Sequence, residues 1–196
     1  MAGISAAFWL TACGGEAVSP KMRVAVSAAP VISMVEEDAD EIQRLPVAVD
    51  AKLAEIHDVL ARDSLHRLVR LASTEPNFVS NFSGEPHKVH WDLLRRTGFD
   101  PVHRLSALLN GPYGTRQVGD QVWYVWPDFA ARDAEDLLPE KLTFADRARL
   151  KALVGEPGLA RIRAGHEYPG IRTAIAEDGR WLYFVHETTE DTEAKH

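Results

Sequence analysis

The stretch Gln121-Val122-Trp123-Tyr124-Val125-Trp126 decides the fold class of this chain. Aromatic and β-branched residues fill it, which is typical of a β-strand. Gly119-Asp120 precedes it, and residues 113–118 form another run of strand character. The whole segment therefore predicts a β-hairpin that ends at Pro127, with its two strands paired antiparallel.

A second hairpin is predicted near the end of the chain. Residues 170–175 and 181–185 are rich in apolar and aromatic side chains, and Glu177-Asp178-Gly179 lies between them as a turn. We expect the two hairpins to share one antiparallel sheet.

Apolar residues at helical spacing indicate helices before and between the hairpins. The predicted helices are capped at Asp50, Ser64, Asp100 and Thr143, and one more runs from about His87 to Thr97. A short helix is also expected at 157–164, and alternation in 77–82 predicts a short strand.

These elements predict an α+β fold. N-terminal helices come first, followed by helices interleaved with two β-hairpins that form one antiparallel sheet.

Composition excludes two classes of function. A formal net charge of −7 over 196 residues argues against a nucleic-acid partner, because such binding depends on clustered Lys and Arg. No run approaches the roughly 20 apolar residues that a membrane-spanning helix needs.

The single cysteine cannot form an internal disulfide, and we expect no metal or cofactor.

The N-terminus carries a targeting motif. An apolar run ends in Leu10-Thr11-Ala12-Cys13, followed by Gly14. This resembles the lipobox of bacterial lipoproteins, which implies cleavage before Cys13 and lipid attachment to its thiol. The basic segment that normally starts such a signal is missing, so we expect it to lie upstream of Met1.

The same resemblance implies a location. A glycine rather than an aspartate after Cys13 implies sorting to the outer membrane, with the protein on the periplasmic face of the cell envelope. The alternative is a cytosolic chain in which Cys13 is an ordinary buried thiol.

The domain organisation follows from this. Residues 1–12 are the remnant of a signal peptide, 13–46 carry the lipid-attachment cysteine and a flexible tether, 47–187 form a single α+β domain, and 188–196 are a disordered tail. The alternative for the tether is one or two edge strands, at 22–26 and 31–35.

The domain itself resembles uncharacterised secreted proteins and lipoproteins of Gram-negative bacteria. The resemblance lies in Tyr124 to Pro127 and in the closing segment Gly170 to Val185, and it covers roughly residues 55–187. It implies no activity.

Aromatic side chains of both hairpins form a candidate ligand-binding platform. Alternation places Tyr124 and Trp126 on one face of the first hairpin, and Trp181 and Tyr183 together on one face of the second, opposite Phe184. If that face is open to solvent, the four rings suit a glycan strand or an apolar ligand. The alternative is that helices cover both faces of the sheet.

Two arginines of the hairpins could orient such a ligand. Arg116 and Arg172 could clamp a carboxylate or a phosphate beside the platform. The alternative is that they pair with Asp120 and Glu177.

The other candidate site is histidine-based. His87 and His90 are three residues apart on a predicted helix, a spacing that can bind a divalent metal, with Asp92 or His103 as further ligands. The alternative is that Trp91 faces the core and both histidines lie at a solvated helix start.

Together these features favour a lipid-anchored cell-envelope protein that acts as a non-catalytic binding or interaction module. Its partners would be the membrane, through the N-terminal lipid, and an envelope protein, a glycan or a small ligand. The alternative is a metal-dependent or acid/base hydrolase of the periplasm that uses His87 and His90.

Overall fold

The computed structural model describes residues 44–187, and their fold is α+β as predicted. Cys13, nearly all of the expected tether and the expected tail at 188–196 lie outside the described residues. In chain order the elements are α1 (Val47–Ala61), α2 (Leu65–Thr74), α3 (His87–Arg96), α4 (Pro101–Leu109), β1 (Gly114–Val118), β2 (Gln121–Trp126), 3₁₀ helices at Asp128–Ala131 and Ala134–Leu137, α5 (Phe144–Arg163), β3 (Ile171–Ala176) and β4 (Trp181–His186).

The strands form one antiparallel sheet in the order β1-β2-β3-β4. Both predicted hairpins are confirmed. They join through β2 and β3, where Tyr124 lies opposite Ile175. The long connection between the hairpins contains α5.

A separate hydrophobic core covers each face of the sheet. Helices α1 to α4 pack on one face, around Trp91, Trp126 and Trp181. The 3₁₀ helices and α5 pack on the other face, around Phe129 and Leu150. Helical elements therefore cover both faces, and the strands carry apolar residues in both directions.

Three of the four predicted helix caps are confirmed. The side chains of Ser64, Asp100 and Thr143 accept hydrogen bonds from first-turn backbone amides. The cap at Asp50 is wrong, because α1 begins one turn earlier, after Pro46. The Pro46 carbonyl accepts the hydrogen bond from the Asp50 amide at 2.9 Å, which places Asp50 inside the first turn.

The predicted strand at 77–82 is also wrong. Asn77 adopts the left-handed conformation with φ of 59°, which interrupts an extended chain. Only Val79 pairs with the sheet, as an isolated parallel bridge beside β4. Its amide donates to the Leu182 carbonyl at 3.1 Å, and its carbonyl accepts from the Phe184 amide at 3.0 Å.

Helix α5 is interrupted in its second half. Gly155 has φ of 65° and ψ of −175°, which is not helical, and Pro157 follows two residues later. The expected short helix at 157–164 is the part of α5 beyond this interruption.

Candidate functional site

A β-bulge in β4 changes which aromatic side chains share a face. Ile175 pairs with Trp181 but Ala174 pairs with Tyr183, so Leu182 is an extra residue. As a result Trp181 and Phe184 point into the same core. The predicted simple alternation, which placed them on opposite faces, is wrong for this reason.

The four aromatic residues of the predicted platform do not form one surface. Trp126 and Trp181 are buried in the core beneath α1 to α4, and Tyr124 packs against that core. Tyr183 packs against the core on the opposite face. The structure therefore divides this set between the two sides of the sheet.

Both predicted arginines pair with carboxylates, but not with the expected ones. Arg116 donates to Glu167 at 3.1 Å. Arg172 donates to Glu187 at 3.0 Å. Burial raises the pKa of Tyr183 to about 12, although the positive charges of Arg172 and Arg116 act in the opposite direction. The two arginines thus influence the same tyrosine from separate ion pairs.

His87 contacts a serine rather than another metal-ligating side chain. Its Nδ1 lies 2.7 Å from the Ser80 Oγ, and the Asn81 amide donates to the same oxygen at 3.1 Å. Burial lowers the pKa of His87. The Ser80 residue is only 2% exposed, so this bond fastens the loop before α3 to the first turn of the helix.

The part of the chain that the structure describes contains no set of side chains arranged to bind a metal ion. Within residues 44–187, no group of three or more His, Cys, Asp or Glu side chains converges as metal ligands would. His103 instead lies 3.1 Å from Asp100, which raises the pKa of His103. The Lys88 ammonium pairs with Asp92. The hydrolase alternative stays a prediction.

Sequence reasoning missed a groove between α4, α5 and the start of β3. It consists of two hollows of about 320 and 180 Å³, and Leu153 and Ile171 line both of them. Leu108 extends the apolar lining toward α4, and Val154 and Pro157 extend it toward the interruption in α5.

Each hollow of the groove has one arginine in its lining. Arg104 lines the smaller hollow, and its guanidinium lies 5.8 Å from the centre of the Phe99 ring. Arg161, His186 and Glu187 line the larger hollow.

Among the described residues, Arg104 gives the groove a positive charge that no carboxylate neutralises. Glu187 is shared by two arginines, at 3.0 Å from Arg172 and 3.9 Å from Arg161. Arg104 forms no salt bridge with any residue from 44 to 187. A groove with a mixed apolar and polar lining and an unpaired arginine suits an amphipathic anion.

Two glycines that line the larger hollow have no room for a side chain. A Cβ on Gly158 would lie 2.5 Å from the Val154 Cβ, and a Cβ on Gly170 would lie 2.5 Å from the Tyr168 hydroxyl oxygen. The sequence did carry a signal, since Gly155-Glu156-Pro157-Gly158 interrupts a helical pattern. That signal locates a bend but does not say which elements meet there.

None of the described helices is long and apolar enough to cross a bilayer. Comparison with protein-family models, curated proteins and solved structures finds no match for this chain.

Proposed function

We propose that this chain is a lipid-anchored binding module of the bacterial cell envelope that holds an elongated amphipathic anion without turning it over. The observation that carries the proposal is the groove: two adjoining hollows share the apolar residues Leu153 and Ile171, with an arginine in each hollow.

Apolar burial would supply most of the affinity. Each methylene group that leaves water against Leu153 and Ile171 contributes about 0.8 kcal/mol. Together the hollows fall within the range of about 300–1,000 Å³ that is usual for small-molecule sites. An acyl or alkyl chain with one acidic head group fits this lining.

Arg104 would orient the ligand. Its guanidinium has no carboxylate partner among the described residues, so an incoming carboxylate or phosphate need not displace one. Arg161 already lies near Glu187 and is the weaker candidate for the head group.

The envelope location is supported by Leu10-Thr11-Ala12-Cys13 and Gly14. Expression with the native upstream sequence in a Gram-negative host, with labelled palmitate, tests this part. We expect label in the wild type and none in Cys13→Ala. Equal label in both, or label in neither, would contradict lipidation of Cys13.

Titration calorimetry of the full chain carrying Cys13→Ala tests the groove. We expect it to bind dodecanoate and dodecyl phosphate. Leu153→Asp should weaken both by more than tenfold, because it places a negative charge, the same as that of the ligand, beside the alkyl chain. Arg104→Gln should weaken both by about five- to tenfold.

Arg67→Gln is the matched control, because Arg67 is an exposed arginine on α2 that does not line the groove. Its affinity should equal that of the parent. Absence of binding by the parent, or equal affinity in Leu153→Asp, would contradict the proposal.

A further inference from the structure

Exposed apolar side chains concentrate in one short stretch of the described chain. Large hydrophobic residues that are more than a third exposed occur at Val79, Phe82, Val89 and Leu93, and elsewhere in 44–187 only at Val47, Phe144 and Leu153. Four of these seven residues fall within 79–93. Because α3 fully buries a single residue, Trp91, its outer side is open.

The exposed side of α3 has an amphipathic arrangement. Val89 and Leu93 are four residues apart and therefore lie on one stripe of the helix, 53% and 51% exposed. Arg96 follows one turn after Leu93, and Arg95 stands beside it. Neither arginine forms a salt bridge with any residue in 44–187. Asp92, one turn earlier, interacts electrostatically with both arginines but is itself paired with Lys88. The stripe is thus bordered by a net positive charge.

The loop before α3 is fixed against this helix. Ser80 bonds to His87 on the first turn, at 2.7 Å. The Asn81 side chain accepts from the Glu85 amide at 3.0 Å and donates to the Glu85 carbonyl at 2.8 Å. These bonds hold the first turn of α3 against the loop that precedes it, so the backbone that carries the exposed residues is ordered before any partner arrives.

We propose that the surface formed by Val89, Leu93, Arg95 and Arg96, the α3 surface, rests directly on an anionic phospholipid bilayer. The two apolar side chains would enter the head-group region, and the two arginines would pair with lipid phosphates. The four side chains are far fewer than the roughly 20–30 residues that each partner contributes to a stable protein interface.

The proposal does not depend on the groove, nor on lipidation. The proposed anchor at Cys13 would add to it, since tethering raises the effective concentration of the domain at the membrane and lets a weak contact suffice. Measuring vesicle binding of the chain without its lipid separates direct contact of the α3 surface from tethering through Cys13.

Co-sedimentation with vesicles tests the α3 surface. The full chain carrying Cys13→Ala should sediment with vesicles that contain phosphatidylglycerol and much less with pure phosphatidylcholine. Arg95→Gln and Arg96→Gln should each weaken the apparent affinity about fivefold. Leu93→Glu should abolish sedimentation, because it places a carboxylate in the head-group region.

Phe144→Ser is the matched control, since Phe144 is 87% exposed at the start of α5 and lies outside the α3 surface. It should sediment like the parent. All of these positions are exposed, and the circular dichroism spectrum of each variant should match that of the parent. Failure of the parent to bind anionic vesicles, or an equal loss in Phe144→Ser and Leu93→Glu, would overturn the proposal. So would a stable dimer that Leu93→Glu dissolves, because the surface would then belong to a second copy of the chain.

Discussion

At the scale of single residues, the pKa values of two histidines are shifted in opposite directions. Burial beside Phe78 and Trp91 lowers the pKa of His87. A hydrogen bond to Asp100 raises the pKa of His103. Because a shifted pKa links protonation to folding, each histidine makes stability depend on pH, with opposite signs.

His87 should make the fold sensitive to mild acid. Above its usual pKa of 6.5, His87 is neutral in both the folded and the unfolded chain. As the pH falls below that value the unfolded chain binds the proton more readily, so the free energy of unfolding decreases. Urea unfolding at about pH 7.5 and about pH 5.5 measures this loss, and His87→Gln should reduce it.

His103→Gln provides the opposite comparison. The raised pKa of His103 stabilises the fold below pH 6.5, and this contribution disappears as the pH rises through the folded pKa. The His103→Gln variant should therefore lose more of its free energy of unfolding than the parent between about pH 7.5 and about pH 5.5. The same pH dependence in both variants would contradict the assignment of the two effects.

Gly170 should resist substitution because of its contact with Tyr168. The added Cβ of Gly170→Ala would lie 2.5 Å from the Tyr168 hydroxyl oxygen, and we expect a loss of about 1–3 kcal/mol in the free energy of unfolding. Tyr168→Leu removes the clashing atoms, so the double variant should be less destabilised than the sum of the two single variants. Strict additivity in urea unfolding would show that the contact is not the cause.

At the scale of elements, the bulge in β4 determines the packing of the last hairpin. It turns Trp181 and Phe184 into the same core, and the Trp181 indole N–H donates to the Thr173 hydroxyl at 2.8 Å. Thr173 in turn donates to the Tyr183 carbonyl at 2.6 Å. The buried Thr173 side chain on β3 therefore contacts β4 on both sides of the bulge, at Trp181 and at Tyr183.

Thr173→Val should destabilise the protein by about 1–3 kcal/mol. Valine keeps the shape but leaves the buried Trp181 N–H without an acceptor, which costs the desolvation energy of that group. The control is Thr115→Val, at an exposed position on β1, where a change within about 0.5 kcal/mol is expected. Equal effects of both variants on the urea midpoint would contradict the role of this hydrogen bond.

At the scale of the whole molecule, the sheet separates two cores that depend on different parts of the chain. One is built mainly from α1 to α4 and the other mainly from the 3₁₀ helices and α5, while β2, β3 and β4 contribute to both. Neither core can lose its strands without exposing the other, so we expect the two cores to unfold together.

A chain of residues 44–187 should therefore fold on its own. The described residues supply an extensive core on each face of the sheet. We expect a single cooperative urea transition, measured in parallel by circular dichroism and tryptophan fluorescence. Two separate transitions, or different midpoints from the two probes, would contradict this expectation.

Local sequence signals predicted the elements well, because the physics behind them is short-range. The Gly119-Asp120 and Asp178-Gly179 turns specify the hairpins, and Ser64, Asp100 and Thr143 satisfy helix amides within three residues of themselves. The errors at Asp50 and at 77–82 arose where a proline or a left-handed asparagine overrode the pattern.

The sequence by itself determined the α+β class, both hairpins, and the helix starts at Ser64, Asp100 and Thr143, since each rests on neighbouring residues. Only the tertiary structure decided which side chains meet. The bulge at Leu182 places Tyr183 on the opposite face of the sheet from Trp181. Arg116 and Arg172 pair with Glu167 and Glu187, which lie in other segments. The groove forms where α4, α5 and β3 meet. These contacts join residues far apart in the chain, so spacing along the sequence could not reveal them.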